Sequence, residues 1–203
     1  MQLTNRDIEI LKFINEFGFC EIVQIEKKFG LKKPRCYQVM QRLIKANLVI
    51  HERVFHARNG VFYLTYQGAT TCTDLPSIKN IPKDNYLHQL TIIEIYFQLM
   101  HLFPQATWIS ERRMWREKDV YSVSHRKGVE HLADGVLVFP DDKQVAIEVE
   151  LSMKSRKRIE DIIVSYVLHR RLKEVWYFCS PEIIERVRKA AGKWDHVKIH
   201  GLS

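Results

Sequence analysis

The stretch His131–Arg158, which reads HLADGVLVFPDDKQVAIEVELSMKSRKR, decides the fold class of this chain. Apolar residues run along 132–139 and again along 145–151, and a Pro-Asp-Asp-Lys turn separates the two runs, so they predict an antiparallel hairpin. Helices and strands then alternate, with helices at 155–172 and 181–191 and strands at 174–179 and 196–200. Strands that are joined by helices pair in parallel, so we predict an α/β domain with a mixed central sheet and helices on its faces.

Acidic residues cluster on this hairpin. Glu148 and Glu150 alternate along one strand and point to the same face, and Asp134 on the neighbouring strand adds a third carboxylate. Such like charges repel unless a cation lies between them or they face water. Oxygen ligands suit Mg²⁺ or Mn²⁺, so the pattern indicates a metal-dependent phosphodiesterase site, with cations such as Lys154 just beyond it. The alternative is an edge strand whose acids face solvent and are balanced by the basic helix.

The first third of the chain has the pattern of a winged helix-turn-helix domain. Thr4 caps a first helix, a second helix follows at about 21–29, and Pro34 stands near the start of a third. Two apolar runs, 48–54 and 61–65, then flank an Asn-Gly pair, which is a strong hairpin-turn signal. We interpret this hairpin as the wing.

The third helix has a polar face without any acid. Its apolar side is predicted to carry Tyr37, Met40, Leu43 and Ile44. Its polar side carries Arg35, Gln38, Gln41, Arg42 and Lys45. A solvated helix face usually mixes both signs of charge, so this face is better explained as a surface that meets phosphates and base edges in a DNA groove. Lys32, Lys33 and Arg58 fall at the tips that would touch the DNA backbone; the alternative is that these cations only keep the domain soluble.

The composition also favours a polyanionic partner. The chain of 203 residues has 32 Lys or Arg and 24 Asp or Glu, a formal net charge of +8, and cations bind phosphates by releasing counterions. No apolar run reaches the roughly 18 residues that span a bilayer, and no signal-peptide pattern is seen, so we expect a cytoplasmic protein without a membrane partner. The cysteine spacing indicates neither a zinc module nor a disulfide framework, and motifs for nucleotide binding or serine hydrolysis are missing.

The sequence therefore predicts two domains, α+β overall. We assign the winged helix to residues 1–75 and the α/β domain to 85–203. Two prolines and a lack of periodicity place a linker at 76–84. The second domain is predicted to begin with a helix at 85–103, which is apolar over most of its circumference, and a strand at 107–110.

Several short motifs resemble the replication-relaxation family of plasmid and mobile-element proteins. They are the helix beginning near His88, Ser110-Glu111-Arg112, Ala133-Asp134-Gly135, and Ile147-Glu148-Val149-Glu150 with the basic helix that ends in Tyr166. That family joins an N-terminal winged helix to a domain similar to the PD-(D/E)XK nuclease fold. The resemblance implies DNA as the ligand and a role in plasmid replication or mobilisation, with other proteins of those processes as partners.

The resemblance also implies a metal site. Carried over residue by residue, the nuclease pattern gives Asp134 and Glu148 as metal ligands, joined by Glu94 from the first helix of that domain. Glu150 stands where the usual lysine would be, and Lys154 or Lys157 from the following helix could supply the missing cation. Glutamate at this position occurs in a minority of active restriction endonucleases of this fold, and it also fits a site that has lost catalysis.

Three functions follow from these patterns. The first is a double-stranded DNA-binding protein, whose second domain adds backbone contacts, a homodimer contact or partner docking. The second is a Mg²⁺-dependent endonuclease or nickase that the winged helix delivers to DNA. The third is a protein-interaction module whose basic surface binds an acidic partner.

Overall fold

The structure, a computed structural model, describes residues 2–121, 123–124, 130–152, 154–192 and 194–202. The chain is mixed α/β and divides into two compact units, Met1–Phe97 and Gln98–Ser203. Within the described residues, no helix combines the length and the apolar character that crossing a membrane requires.

The first unit combines helices with a three-stranded antiparallel sheet of strand order β1-β3-β2. Its elements are α1 (Asn5–Phe17), β1 (Phe19–Glu21), α2 (Ile22–Phe29), α3 (Lys33–Lys45), β2 (Val49–Glu52), β3 (Val61–Leu64), α4 (Tyr66–Cys72) and the part of α5 (Tyr86–Leu102) up to Phe97. The helices and the hairpin appear where the sequence predicts them. Strand β1 was not predicted, because a strand of three residues shows no measurable alternation.

Local signals set the helix ends in this unit. The Thr4 hydroxyl accepts a hydrogen bond from the Asp7 backbone N–H, and the Asp7 carboxylate accepts one from the Thr4 backbone N–H, so a capping box starts α1. Gly30 ends α2 with a φ of +61°, a left-handed conformation that costs glycine little. Pro34 lies in the first turn of α3, where its missing N–H is not needed.

The connection between β2 and β3 differs from the predicted turn. Glu52 pairs with Val61, so residues 53–60 form the loop. Neither Asn59 nor Gly60 has a positive φ, and they therefore do not form the two-residue turn that an Asn-Gly pair predicts. Gly60 instead lies against the His51 side chain. A Cβ atom at position 60 would be only 2.2 Å from the His51 ring.

The predicted linker at 76–84 is packed within the first unit. The Asn15 side-chain amide donates to the Leu75 carbonyl oxygen at 2.8 Å, just before this segment. Ile81 is buried in a cluster with Phe19, Val61, Tyr63 and Tyr86. The compact units consequently divide after Phe97 and not in the segment where the sequence placed the linker.

The second unit is built on a five-stranded mixed sheet of order β10-β9-β8-β7-β4. Its elements are β4 (Thr107–Ser110), α6 (Glu111–Arg116), α7 (Lys118–Tyr121), β5 (Val123–Ser124), β6 (Glu130–His131), β7 (Gly135–Val138), β8 (Gln144–Glu150), α8 (Arg156–Val167), β9 (Leu172–Cys179), α9 (Ile184–Ala191) and β10 (Val197–Gly201). The β4, β7 and β8 strands pair antiparallel, whereas β8, β9 and β10 pair in parallel. The predicted mixed sheet is confirmed.

Strand β8 lies inside this sheet, between β7 and β9. Ala146 on β8, Tyr177 on β9 and the α8 residues Ile159 and Ile163 belong to one buried cluster. Side chains alternate along a strand, so Glu148 and Glu150 share the face of Ala146, which α8 covers. The alternative of an edge strand with solvent-facing acids is therefore wrong.

Candidate functional site

Helix α3 presents its polar side chains to solvent. Cys36, Val39, Met40 and Leu43 are buried and attach the helix to the first unit. The exposed residues on the outer side are Arg35, Gln38, Gln41 and Lys45, which we call the α3 face. Helix α3 carries no acid, and the α3 face accordingly has two cations, two amides and no negative charge.

One residue of the predicted apolar side lies next to the α3 face. Tyr37 is 46% exposed, because the buried side of α3 centres near Cys36 and Leu43, roughly 110° around the helix from Tyr37. Tyr37 borders a concavity of about 650 Å³ that runs along the helix. The other lining residues are Gln38, Gln41, Arg42, Lys45 and Ala46. An aromatic ring thus stands beside the amides and cations.

Arg42 differs from the α3 face because it has a partner inside the protein. Its guanidinium Nη2 donates to Oδ1 of Asp7 at 2.5 Å, and Asp7 is 1% exposed. The second carboxylate oxygen of Asp7 accepts hydrogen bonds from the backbone N–H and the hydroxyl of Thr4. Arg42 therefore ties α3 to the capped start of α1. A DNA contact by Arg42 has to use the remaining N–H groups of its guanidinium.

The start of α1 adds cations that the sequence did not point to. A second concavity, of about 390 Å³, lies between this start and α3, and Arg6, Arg35 and Arg42 are among its lining residues. Arg6 is exposed. The sequence could not assign Arg6 to this surface, because the contact between α1 and α3 joins residues that are far apart along the chain.

The other predicted DNA contacts flank α3 and the hairpin. Lys32 and Lys33 are exposed at the start of α3. Arg58 is exposed in the loop 53–60, where its guanidinium lies 6.0 Å from the centre of the Tyr86 ring. All three side chains are thus available to a partner, as a contact with phosphates requires.

Glu94 has a role within the first unit. Its Oε1 accepts a hydrogen bond from the Gln24 amide at 3.3 Å, and its Oε2 pairs with the Lys27 ammonium at 2.7 Å. These contacts attach α5 to α2. The assignment of Glu94 as a metal ligand, which the family resemblance implies, stays a prediction.

The remaining acids of the predicted metal site come together in the second unit; we call Asp134, Glu148 and Glu150 the acidic cluster. Asp134 Oδ2 accepts a hydrogen bond from the Val149 backbone N–H at 2.6 Å. Glu148 and Glu150 are 2% and 3% exposed. Lys154 places its ammonium 2.7 Å from Oε2 of Glu150.

Glu148 is bound by two other side chains. His131 Nε2 lies 2.6 Å from Glu148 Oε1, and the Tyr166 hydroxyl donates to the same oxygen. Burial alone would raise the pKa of Glu148, but His131 and Tyr166 outweigh it and hold this pKa below its ordinary value. Burial would lower the His131 pKa, but the Glu148 carboxylate outweighs it and raises this pKa above its ordinary value. The two groups form a buried ion pair.

Glu150 and Lys154 form the second pair of the cluster. Burial raises the pKa of Glu150, and the hydrogen bond from Lys154 opposes this rise without cancelling it. Burial would lower the Lys154 pKa, but Glu150 and Glu148 raise it, so the ammonium stays charged. Two of the three carboxylates thus have a cation of the protein within hydrogen-bonding distance.

In this arrangement a Mg²⁺ or Mn²⁺ ion would have to compete with the protein's own cations, and the metal site that the family resemblance implies stays a prediction. Such an ion needs converging carboxylate oxygens, whereas His131 already binds Oε1 of Glu148 and Lys154 already binds Oε2 of Glu150. Within the described part of the chain, no three His, Cys, Asp or Glu side chains are grouped so that they could hold a metal ion. The Tyr177 hydroxyl is buried and has no hydrogen-bond partner among the residues that the structure describes, but burial raises its pKa, so it adds a neutral phenol and no ligand charge.

Comparisons with known protein families, with curated proteins and with solved structures give no match for this chain.

Proposed function

We propose that this protein binds double-stranded DNA through its first unit. In this proposal α3 lies in the major groove, Lys32 and Lys33 contact the phosphate backbone, and Arg58 reaches the backbone or the minor groove. The α3 face is the observation that carries the proposal. It offers cations for phosphates and amides for base edges on an exposed helix without acids.

The acid that is ion-paired with α3 does not oppose a DNA contact at this surface. Asp7 is buried and paired with Arg42. The chain also carries a net charge of +8, which favours association with a polyanion.

The order of elements supports the same proposal. Helix α1, strand β1, helices α2 and α3 and the β2–β3 hairpin follow one another as in a winged helix-turn-helix domain, in which the last helix enters the groove. In this interpretation, the exposed loop 53–60 is the wing. Its cations are Arg53 and Arg58.

The proposal does not extend to cleavage. The acidic cluster has its own counter-charges, so the endonuclease alternative stays a prediction that rests on the family resemblance. A role in plasmid replication or mobilisation rests on that resemblance too. The second unit would then add backbone contacts, a homodimer contact or a docking surface for another protein.

A salt titration tests the proposal. Binding of a labelled duplex is followed by fluorescence anisotropy between about 50 and 200 mM salt, where several phosphate contacts give a steep loss of affinity. Replacing Lys45 by Ala should weaken binding and reduce the slope of log K against log salt by about 0.9 if Lys45 contacts one phosphate. The control is Lys12→Ala, since Lys12 is exposed on α1 and already paired with Glu9. Equal slopes for the two variants, or no duplex binding at low salt, would contradict the proposal.

A further inference from the structure

The two glutamines occupy the centre of the α3 face. At about 100° per residue, Gln38 and Gln41 project away from the buried side that Val39 and Leu43 form, and Lys45 lies between them in projection. Arg35 and Arg42 stand to one side of this centre. A duplex that lies against α3 would therefore meet amide groups first.

Neither glutamine is used by the protein itself. Within the part of the chain that the structure describes, the side chains of Gln38 and Gln41 have no hydrogen-bond partner. Two other glutamines of the first unit are engaged: Gln24 donates to the Leu90 carbonyl oxygen, and Gln67 accepts from Asn47. The amides on α3 are thus free to bind an external partner.

A side-chain amide matches one base in the major groove. It offers an N–H donor beside a carbonyl acceptor, and adenine presents the complementary pair, the N7 acceptor beside the N6 amino donor. Guanine presents two acceptors, which suit Arg or Lys, and cytosine presents a donor. In the major groove, an exposed amide with no internal partner therefore matches adenine better than the other bases.

The spacing allows two adenines to be contacted together. Residues three apart on a helix differ by about 4.5 Å along its axis, and successive base pairs by about 3.4 Å. Gln38 and Gln41 can consequently reach adjacent base pairs. The exposed ring of Tyr37 beside them provides an apolar contact of the kind that a thymine methyl group accepts.

We infer that the DNA recognised by this protein contains two adjacent A·T base pairs whose adenines are bound by Gln38 and Gln41. This inference rests on the proposed function, because it requires α3 to lie in the major groove. Arg35 and Lys45 then hold the backbone on either side and add affinity without choosing the sequence.

The experiment first selects bound duplexes from a randomised pool and then modifies the selected site. Replacing adenine by 7-deazaadenine removes the N7 acceptor and keeps the base pair. We expect the wild-type protein to lose affinity by about 2- to 12-fold at each such position, the range for one lost hydrogen bond of the bidentate contact. Gln38→Ala and Gln41→Ala should each lose the preference at one position, and the deaza base there should cost that variant nothing more.

The control is Gln67→Ala, because Gln67 is an exposed glutamine on α4 of the same unit. It should select the same site as the wild-type protein. If the protein binds all duplexes equally, if G·C pairs are selected at these positions, or if 7-deazaadenine has no effect, the inference is wrong while the proposed function stands. If no duplex binds at low salt, the proposed function fails with it.

Discussion

Replacing His131 by Ala tests the buried ion pair of the second unit. Glu148 is 2% exposed, so without His131 it must either carry an unpaired buried charge or take up a proton, and both cost stability. Breaking a buried pair from one side costs about 3 to 5 kcal/mol. The low end applies here, about 3 kcal/mol, because Tyr166 still donates to Glu148 and the His131 side chain is 20% exposed.

Tryptophan fluorescence makes this measurement specific to the second unit. All four tryptophans of the chain follow residue 97, so urea unfolding followed at tryptophan reports on Gln98–Ser203. The matched control is His101→Ala, an exposed histidine of the same unit, which should cost less than about 1 kcal/mol. A cost below about 1 kcal/mol for His131→Ala as well would refute the ion pair.

The cost of His131→Ala should also depend on pH. The His131 pKa is raised in the folded protein, so its stabilising effect is complete below the unfolded pKa of about 6.5 and is lost as the pH rises through the folded value. The Glu148 pKa is lowered, so its effect is present above about pH 4.3 and is lost as the pH falls through the folded value. We expect a larger cost at about pH 6 than at about pH 9. Equal costs would show that His131 is not charged in the folded state.

Three further predictions concern other parts of the molecule. Arg42→Ala should destabilise the first unit by about 2 kcal/mol, measured by circular dichroism, since it leaves the buried Asp7 without its cation, whereas Lys45→Ala should leave stability unchanged. Millimolar Mg²⁺ or Mn²⁺ should neither raise the unfolding temperature nor nick supercoiled DNA; a metal-dependent shift that Glu148→Gln abolishes would restore the endonuclease alternative. A thiol reagent should label Cys72 before the three buried cysteines, and slowly, because burial raises its pKa to about 11; labelling that persists in Cys72→Ser would contradict this.

The elements with strong local signals were predictable from the sequence. The capping box at Thr4, the glycine after α2 and the proline in α3 each act on their own turn of helix. The mixed sheet was predictable because strands joined by helices pair in parallel. The exposure of the α3 face followed from helical periodicity, although Tyr37 was assigned to the wrong side.

The contacts between distant residues were not predictable. Arg42 and Asp7 are 35 positions apart, and no local pattern links them. His131 and Glu148 are 17 positions apart, and the pairing of β7 and β8 brings them close. The Asn-Gly pair favours a tight turn, yet the pairing of β2 and β3 ends at Glu52 and Val61 and leaves a longer loop, in which Gly60 lies against His51.

The most direct test of the account is a charge reversal on the α3 face. The double variant Gln41→Glu/Lys45→Glu puts two acids on exposed positions, so it should fold and unfold like the wild-type protein. If this surface binds DNA, the dissociation constant for duplex should rise by at least about 100-fold at moderate salt, because like charges would face the phosphates. An unchanged dissociation constant would show that DNA, if it binds, does so elsewhere.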